Sequence, residues 1–87
     1  MIEIRDFTHK GKTYILKEPL KLSIEGNCAS NDDLGILVVV YASMEGQVET
    51  FAKQQLSDLW GAYVDCRDEE VSESGLEFKK KLKEMVI

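Results

Sequence analysis

The amino-acid sequence predicts one α+β domain spanning residues 1–87, in which an antiparallel sheet is followed by two helices. Strand-like alternation fills the first half of the chain, and helical spacing of apolar residues fills the second. This segregation is typical of α+β domains and not of parallel βαβ layouts. We expect three to four strands at about 2–7, 13–17, 20–26 and 35–42, and helices at about 44–64 and 73–86, with the longer helix packed on one sheet face.

The first three strands are predicted from alternation and from the residues that separate them. Ile2 and Ile4 alternate with charged neighbours, and from Leu20 onward leucine or isoleucine alternates strictly with polar residues. Such alternation indicates one buried and one solvated face, as in an antiparallel sheet. Gly11 favours a turn between the first two segments, and Pro19 fits a bend or a sheet edge because it cannot donate to a ladder.

The chain then changes from turn formers to a continuous apolar run. Residues 26–35 are rich in turn-forming side chains, although residues 28–30 could extend the preceding strand. The run at 36–41 is mostly β-branched and uninterrupted, which predicts a strand in the middle of the sheet, covered at least partly on both faces. Ser43 follows as a helix N-cap, because its hydroxyl can accept a hydrogen bond from a first-turn amide.

The long helix is predicted from one apolar stripe. Apolar residues recur at i, i+3 and i+4 from Val48 to Val64, and Gln55 is the only polar member of the stripe. At 1.5 Å per residue the predicted helix 44–64 is about 30 Å long, so we expect its stripe to form most of the core against the sheet. Ser72 is predicted to cap the second helix, whose lysines lie toward its end, where the helix dipole favours positive charge.

The chain is acidic, with a net charge of −5, and the excess is concentrated in residues 65–77. An acidic domain repels phosphate backbones at long range and suits a basic protein partner. The lysines at 79, 80, 81 and 83 are expected to point in different directions around the second helix, so we expect no nucleic-acid partner. The longest apolar run is too short to span a membrane, so no membrane partner is expected either.

Motifs for catalysis, cofactors and metals are missing from the sequence. The six glycines are scattered, no serine has a GxSxG setting, and His9, the only histidine, is expected on a surface turn. We predict no enzyme and no catalytic, cofactor-binding or metal-binding residues. The alternative that stays open is a small-molecule or nucleic-acid binder, or a minor enzyme, with a pocket between sheet and helix.

The two cysteines, Cys28 and Cys66, stand outside any CxxC motif, and no signal segment opens the chain. We therefore expect a cytoplasmic protein with reduced thiols.

Two aromatic residues near the end of the long stripe are candidates for binding a partner. Tryptophan and tyrosine contribute much of the energy of protein interfaces, although both residues also fit the core or rim of the helix. The predicted function is a non-catalytic protein-interaction module, and its candidate partner-binding residues are Trp60, Tyr63, Asp65, Asp68, Glu69 and Glu70. The partner would be a small basic protein or a second copy of this chain, since strand edges and the long stripe also allow a homodimer.

With Leu34-Gly35-Ile36 at the start of its last strand and Ser43 before its helix, the segment 20–59 resembles the core of HicB-type antitoxins. In that family antiparallel strands lead through a turn into a further strand and then into a helix opened by a small polar residue. Here Leu34-Gly35-Ile36 opens the last strand, and Ser43 stands where the family usually has a threonine cap. The chain departs from the family at Gly46 and Gln47, where a glutamate and an alanine are usual. The resemblance implies a protein that binds and masks a basic, RNA-cleaving toxin.

Overall fold

The computed structural model describes residues 2–39 and 47–87 of this chain. They form an antiparallel, curled sheet of four strands whose spatial order follows the sequence, and helices come after the sheet. The predicted α+β class is therefore confirmed. The strands are β1 (Ile2–His9), β2 (Lys12–Glu25), β3 (Cys28–Asn31) and β4 (Ile36–Val39).

The second half of the described chain is helical. The long helix α1 (Val48–Leu59) continues into a π-helical turn (Trp60–Val64), and a short 3-10 turn (Asp68–Glu70) leads to α2 (Glu73–Met85). The α-helical geometry of the long helix thus ends before the predicted residue 64. The predicted first turn at 44–46, its Ser43 cap and the strand extension at 40–42 lie outside the described residues.

A tight hairpin joins β1 to β2. His9 pairs with Lys12, and the two residues between them, Lys10 and Gly11, have φ angles of 50° and 79°. Two consecutive positive φ angles are characteristic of a type I′ turn, whose twist matches that of the flanking strands. The turn predicted at Gly11 is therefore confirmed.

A large bulge interrupts the pairing of β1 with β2. The register shifts between the pairs Ile4–Leu20 and Asp6–Ile15, so that residues 16–19 of β2 lie opposite Arg5 alone. Pro19 falls inside this bulge, in keeping with its inability to donate to a ladder. The two segments predicted as separate strands are consequently one strand of 14 residues that passes through a bulge.

The residues that follow α2 bond to β2 next to the bulge. Leu16 forms an isolated antiparallel bridge with Val86, and the Ile87 N–H donates to the Ile15 carbonyl at 2.9 Å. The bulge frees the backbone of β2 from β1 at this point, so it can bond to the chain that follows α2. This contact fixes the last helix on the sheet.

The core lies between the curled sheet and α1, which packs against the first and the last strand. The predicted stripe supplies buried side chains at Val48, Ala52, Leu56 and Trp60. Phe51, predicted to belong to the stripe, is 37% exposed. The largest fully buried side chains are Ile4, Leu22, Ile36, Leu56 and Val48.

The strand β4 lies at the edge of the sheet, so its predicted place in the middle is wrong. Ile36 and Val38 are buried, whereas Leu37 and Val39 are 56% and 42% exposed. Within the predicted turn region 26–35, residues 28–31 form the strand β3, which pairs with β2 on one side and with β4 on the other. A continuous apolar run therefore has one covered face here, not two.

The helix α2 begins as the sequence predicts. The Ser72 hydroxyl accepts a hydrogen bond from the Gly75 N–H at 3.2 Å, which satisfies one of the free first-turn amides. Phe78 packs edge-on against Tyr63 with ring centroids 4.8 Å apart. Gly75 is buried in this contact, where a Cβ atom would collide with the side chain of Val71.

Candidate functional site

Trp60, the first of the predicted partner-binding residues, lies in the core. Its side chain is 7% exposed, and its ring lies 5.6 Å from that of Phe7 and 4.5 Å from that of Tyr14. The indole thus fills the space under the β1–β2 hairpin. In the single chain it therefore offers a partner little surface. Of the two alternatives that the sequence allowed for Trp60, a partner interface or the core, the structure has the core.

Tyr63 is half-buried and lines a surface groove of about 330 Å³. The groove lies where the end of α1 and the π-helical turn meet the start of β4. Its lining residues are Gly35, Gln55, Asp58, Leu59, Ala62 and Tyr63. Asp58 is the only charged residue among them, and its carboxylate accepts a hydrogen bond from the neutral amide of Gln54 at 3.0 Å.

The predicted acidic residues are largely paired with cations of the same chain. Asp65 accepts from Lys10 at 2.7 Å, Asp68 from Lys79 at 2.6 Å, and Glu70 from Arg67 at 3.2 Å. Glu69 is in none of the salt bridges among the described residues. These pairs are solvent-exposed on at least one side, so each stabilises the fold only slightly.

The pairing shifts the pKa values of both aspartates. The hydrogen bond from Lys10 holds the pKa of Asp65 below its ordinary value, with a further contribution from His9. The hydrogen bond from Lys79 lowers the pKa of Asp68 in the same way. Both carboxylates therefore stay ionised to a lower pH than an unpaired aspartate does.

A titration can test the Lys10–Asp65 pair. Because the folded-state pKa of Asp65 is lowered, its contribution to stability is present above the ordinary aspartate pKa and is lost as pH falls through the lowered value. In Lys10→Ala we expect the Asp65 pKa to rise toward its ordinary value, as followed by NMR of the side-chain carboxyl. Lys12→Ala, which removes a neighbouring lysine that lies over the Tyr14 ring, should leave it unchanged. An unchanged Asp65 pKa in Lys10→Ala would contradict the pairing.

His9, predicted on a surface turn, is the last residue of β1 before the turn, and its side chain joins three parts of the fold. Its Nδ1 lies 2.9 Å from Ser57 Oγ on α1, and its Nε2 lies 3.3 Å from Asp65 Oδ2. Its side chain is only 12% exposed. Gly61 permits this approach, since a Cβ atom there would lie 3.1 Å from His9 Cε1.

The π-helical turn brings Asp65 to this cluster. The Asp65 N–H donates to the carbonyl of Trp60 at 2.9 Å, a bond over five residues instead of the four of an α-helix. The sequence gives no signal for the cluster, because His9 is separated from Ser57 by 48 residues and from Asp65 by 56. Only the folded hairpin brings these groups together.

The order serine, histidine, aspartate also occurs in hydrolases, but the surroundings of Ser57 differ from those sites. Ser57 lies inside α1, where the backbone N–H groups are used in helical hydrogen bonds. Many hydrolases stabilise the oxyanion with free backbone N–H groups beside the nucleophile. The cluster links the hairpin to α1 through Ser57 and to the residue after the π-helical turn through Asp65. Within residues 2–39 and 47–87, no three metal-binding side chains converge.

Gln55 is a further residue whose role the sequence does not reveal. Its amide nitrogen donates to the carbonyl oxygen of Leu37 at 2.7 Å, and its amide oxygen accepts from the Leu37 N–H at 3.0 Å. The one polar member of the apolar stripe thus bonds to the backbone of β4. Its position in the stripe suits this contact, because the stripe faces the sheet.

Comparisons with known proteins add no relative. No family model, no curated protein and no solved structure matches this chain. The resemblance to HicB-type antitoxins accordingly stays a prediction. In the part of the chain that the structure describes, no helix has the length and apolar character needed to cross a membrane.

Proposed function

We propose that this chain is a non-catalytic protein-interaction module that binds a small basic protein. The observation that carries the proposal is the groove beside Tyr63, whose described lining residues combine apolar side chains with one carboxylate, Asp58. Antitoxin-like binding of a basic toxin, as the HicB-type resemblance implies, is one form of this function.

The groove suits the side chain of a lysine or an arginine. Such a side chain has an apolar stem and a charged head, and the two parts favour different surroundings. Leu59, Ala62 and the Tyr63 ring offer the stem apolar contacts. The Asp58 carboxylate bonds to the neutral Gln54 amide within the described residues, and it offers the head a charge-assisted bond.

Long-range charge supports the same kind of partner. The chain has a net charge of −5, and within the acidic segment the side chains of Glu69, Glu73 and Glu77 form no salt bridge with described residues. Complementary fields mainly raise the rate of association and exclude partners of like charge. We therefore expect binding to weaken as the salt concentration rises.

The test begins with the tagged chain as bait in lysate of its own cells, followed by calorimetric titration of the small basic protein that it retains. Asp58→Asn keeps the shape of the side chain and removes its charge. We expect it to weaken binding by roughly 10-fold or more, as for the loss of one hydrogen bond to a charged group. Tyr63→Ala should weaken binding as well, after circular dichroism shows that it is folded.

The matched control is Asp32→Asn, which removes an exposed carboxylate outside the groove and should leave the affinity unchanged. Trp60→Ala is unsuitable as a binding test, because its side chain is buried and its loss affects folding. The proposal fails if the chain retains no basic protein at low salt. It also fails if the affinity for the retained protein is the same in Asp58→Asn and in the unaltered chain.

A further inference from the structure

At the outer edge of β4, the backbone of Leu37 is hydrogen-bonded to the side chain of Gln55. Both the N–H and the C=O of Leu37 bond to the Gln55 amide, so both groups face away from β3. In antiparallel strands this direction alternates from residue to residue, and Val39 therefore faces the same way as Leu37. A primary amide carries the same donor and acceptor as a peptide group. Gln55 consequently occupies the place of a residue in a fifth strand.

The two edges of the sheet differ in character. The outer strand β1 carries exposed charged residues at Glu3 and Arg5, which discourage the addition of another strand. The residues of β4 carry no charge, and Leu37 and Val39 are exposed. Phe51, also partly exposed, lies one helical turn before Gln55 on the same side of α1. Among the described residues, Gln55 is the side chain that blocks this edge.

We propose that β4 pairs antiparallel with β4 of a second copy of this chain, and that the Gln55 amide leaves Leu37 when the pair forms. An antiparallel pair of identical strands satisfies the two-fold symmetry of a homodimer. Leu37 and Val39 then supply both the outward backbone groups and the apolar side chains of the contact. Since β4 is uncharged, the contact brings no like charges directly opposite each other.

Gln55 sets the strength of this contact. Pairing requires that its two hydrogen bonds to Leu37 be replaced by bonds to the second strand. Because both copies lose these bonds, four neutral hydrogen bonds are replaced, which corresponds to roughly 1,000-fold in a dissociation constant. We therefore expect the unaltered chain to dimerise weakly and a chain without the Gln55 amide to dimerise more tightly.

The test is sedimentation velocity of the pure chain over a range of concentrations, and it needs no other protein. Gln55→Ala should lower the dimer dissociation constant by roughly 1,000-fold relative to the unaltered chain, since the amide is removed from both copies. Gln54→Ala is the matched control, because Gln54 is exposed, lies one residue away and bonds the Asp58 side chain instead of β4. It should leave the dissociation constant unchanged.

A second variant separates strand pairing from association of unfolded chains. Leu37→Lys, added to Gln55→Ala, should restore the monomer, and circular dichroism should show native secondary structure in both variants. Equal association of Gln55→Ala and Gln54→Ala would overturn the proposal. It would also be overturned by a dimer that persists in the Leu37→Lys background, or by monomers throughout the series.

Discussion

Replacement of Trp60 by alanine should lower the free energy of unfolding by about 3–5 kcal/mol, as expected for removal of a buried aromatic ring. The ring is 7% exposed and packs against Phe7 and Tyr14, so its loss leaves a cavity under the hairpin. Small domains have a total stability of about 5–15 kcal/mol. Urea titration followed by circular dichroism should therefore show a much lower midpoint or an unfolded chain.

The control for this prediction is another aromatic residue near the same helix face. Phe51→Ala removes a ring that is 37% exposed, and we expect a loss of about 1 kcal/mol. Losses of equal size in Trp60→Ala and Phe51→Ala would contradict the packing described for the hairpin.

Replacement of Leu56 by alanine should be the next most damaging change, with an expected loss of about 2–5 kcal/mol. Leu56 is 1% exposed on the face of α1 that packs against the sheet. The lost stability combines the transfer of apolar atoms with the cavity that remains between helix and sheet. The urea midpoint should fall while the slope of the transition stays unchanged.

Leu76→Ala is the matched control, because it makes the same change in α2 at a side chain that is 36% exposed. We expect it to change the unfolding free energy by about 1 kcal/mol or less. If Leu56→Ala were as mild as Leu76→Ala, α1 would not be packed on the sheet as described.

Local patterns were sufficient to predict the fold class, the first hairpin and the buried face of α1. They could not predict β3, because its sequence, Cys28 to Asn31, consists of small and polar residues with weak strand preference. Pairing with β2 on one side and β4 on the other holds these four residues in a strand. The place of β4 at the edge could not be predicted either. Whether a strand is covered on one or both faces depends on distant parts of the chain, which local patterns do not show.

The candidate site could be predicted only in part. Tyr63 was chosen from its residue type, and it does line a groove; Asp58, the charged residue of that groove, carried no signal in the sequence. The acidic residues were visible in the composition, but their partners were not. Lys10 reaches Asp65, and Lys79 reaches Asp68, only because the hairpin and α2 fold back onto the segment between them.

The π-helical turn makes the length of this segment as important as its composition. Its backbone bond spans one residue more than an α-helical bond, so a chain one residue shorter within 61–64 would return to ordinary α-helical geometry. The Asp65 N–H would then bond the Trp60 carbonyl over four residues, so Asp65 would keep its direction. The four residues between them would become three, and the Tyr63 ring would lose its direction toward Phe78. Related chains that keep this arrangement should therefore vary here by substitution and not by insertion or deletion.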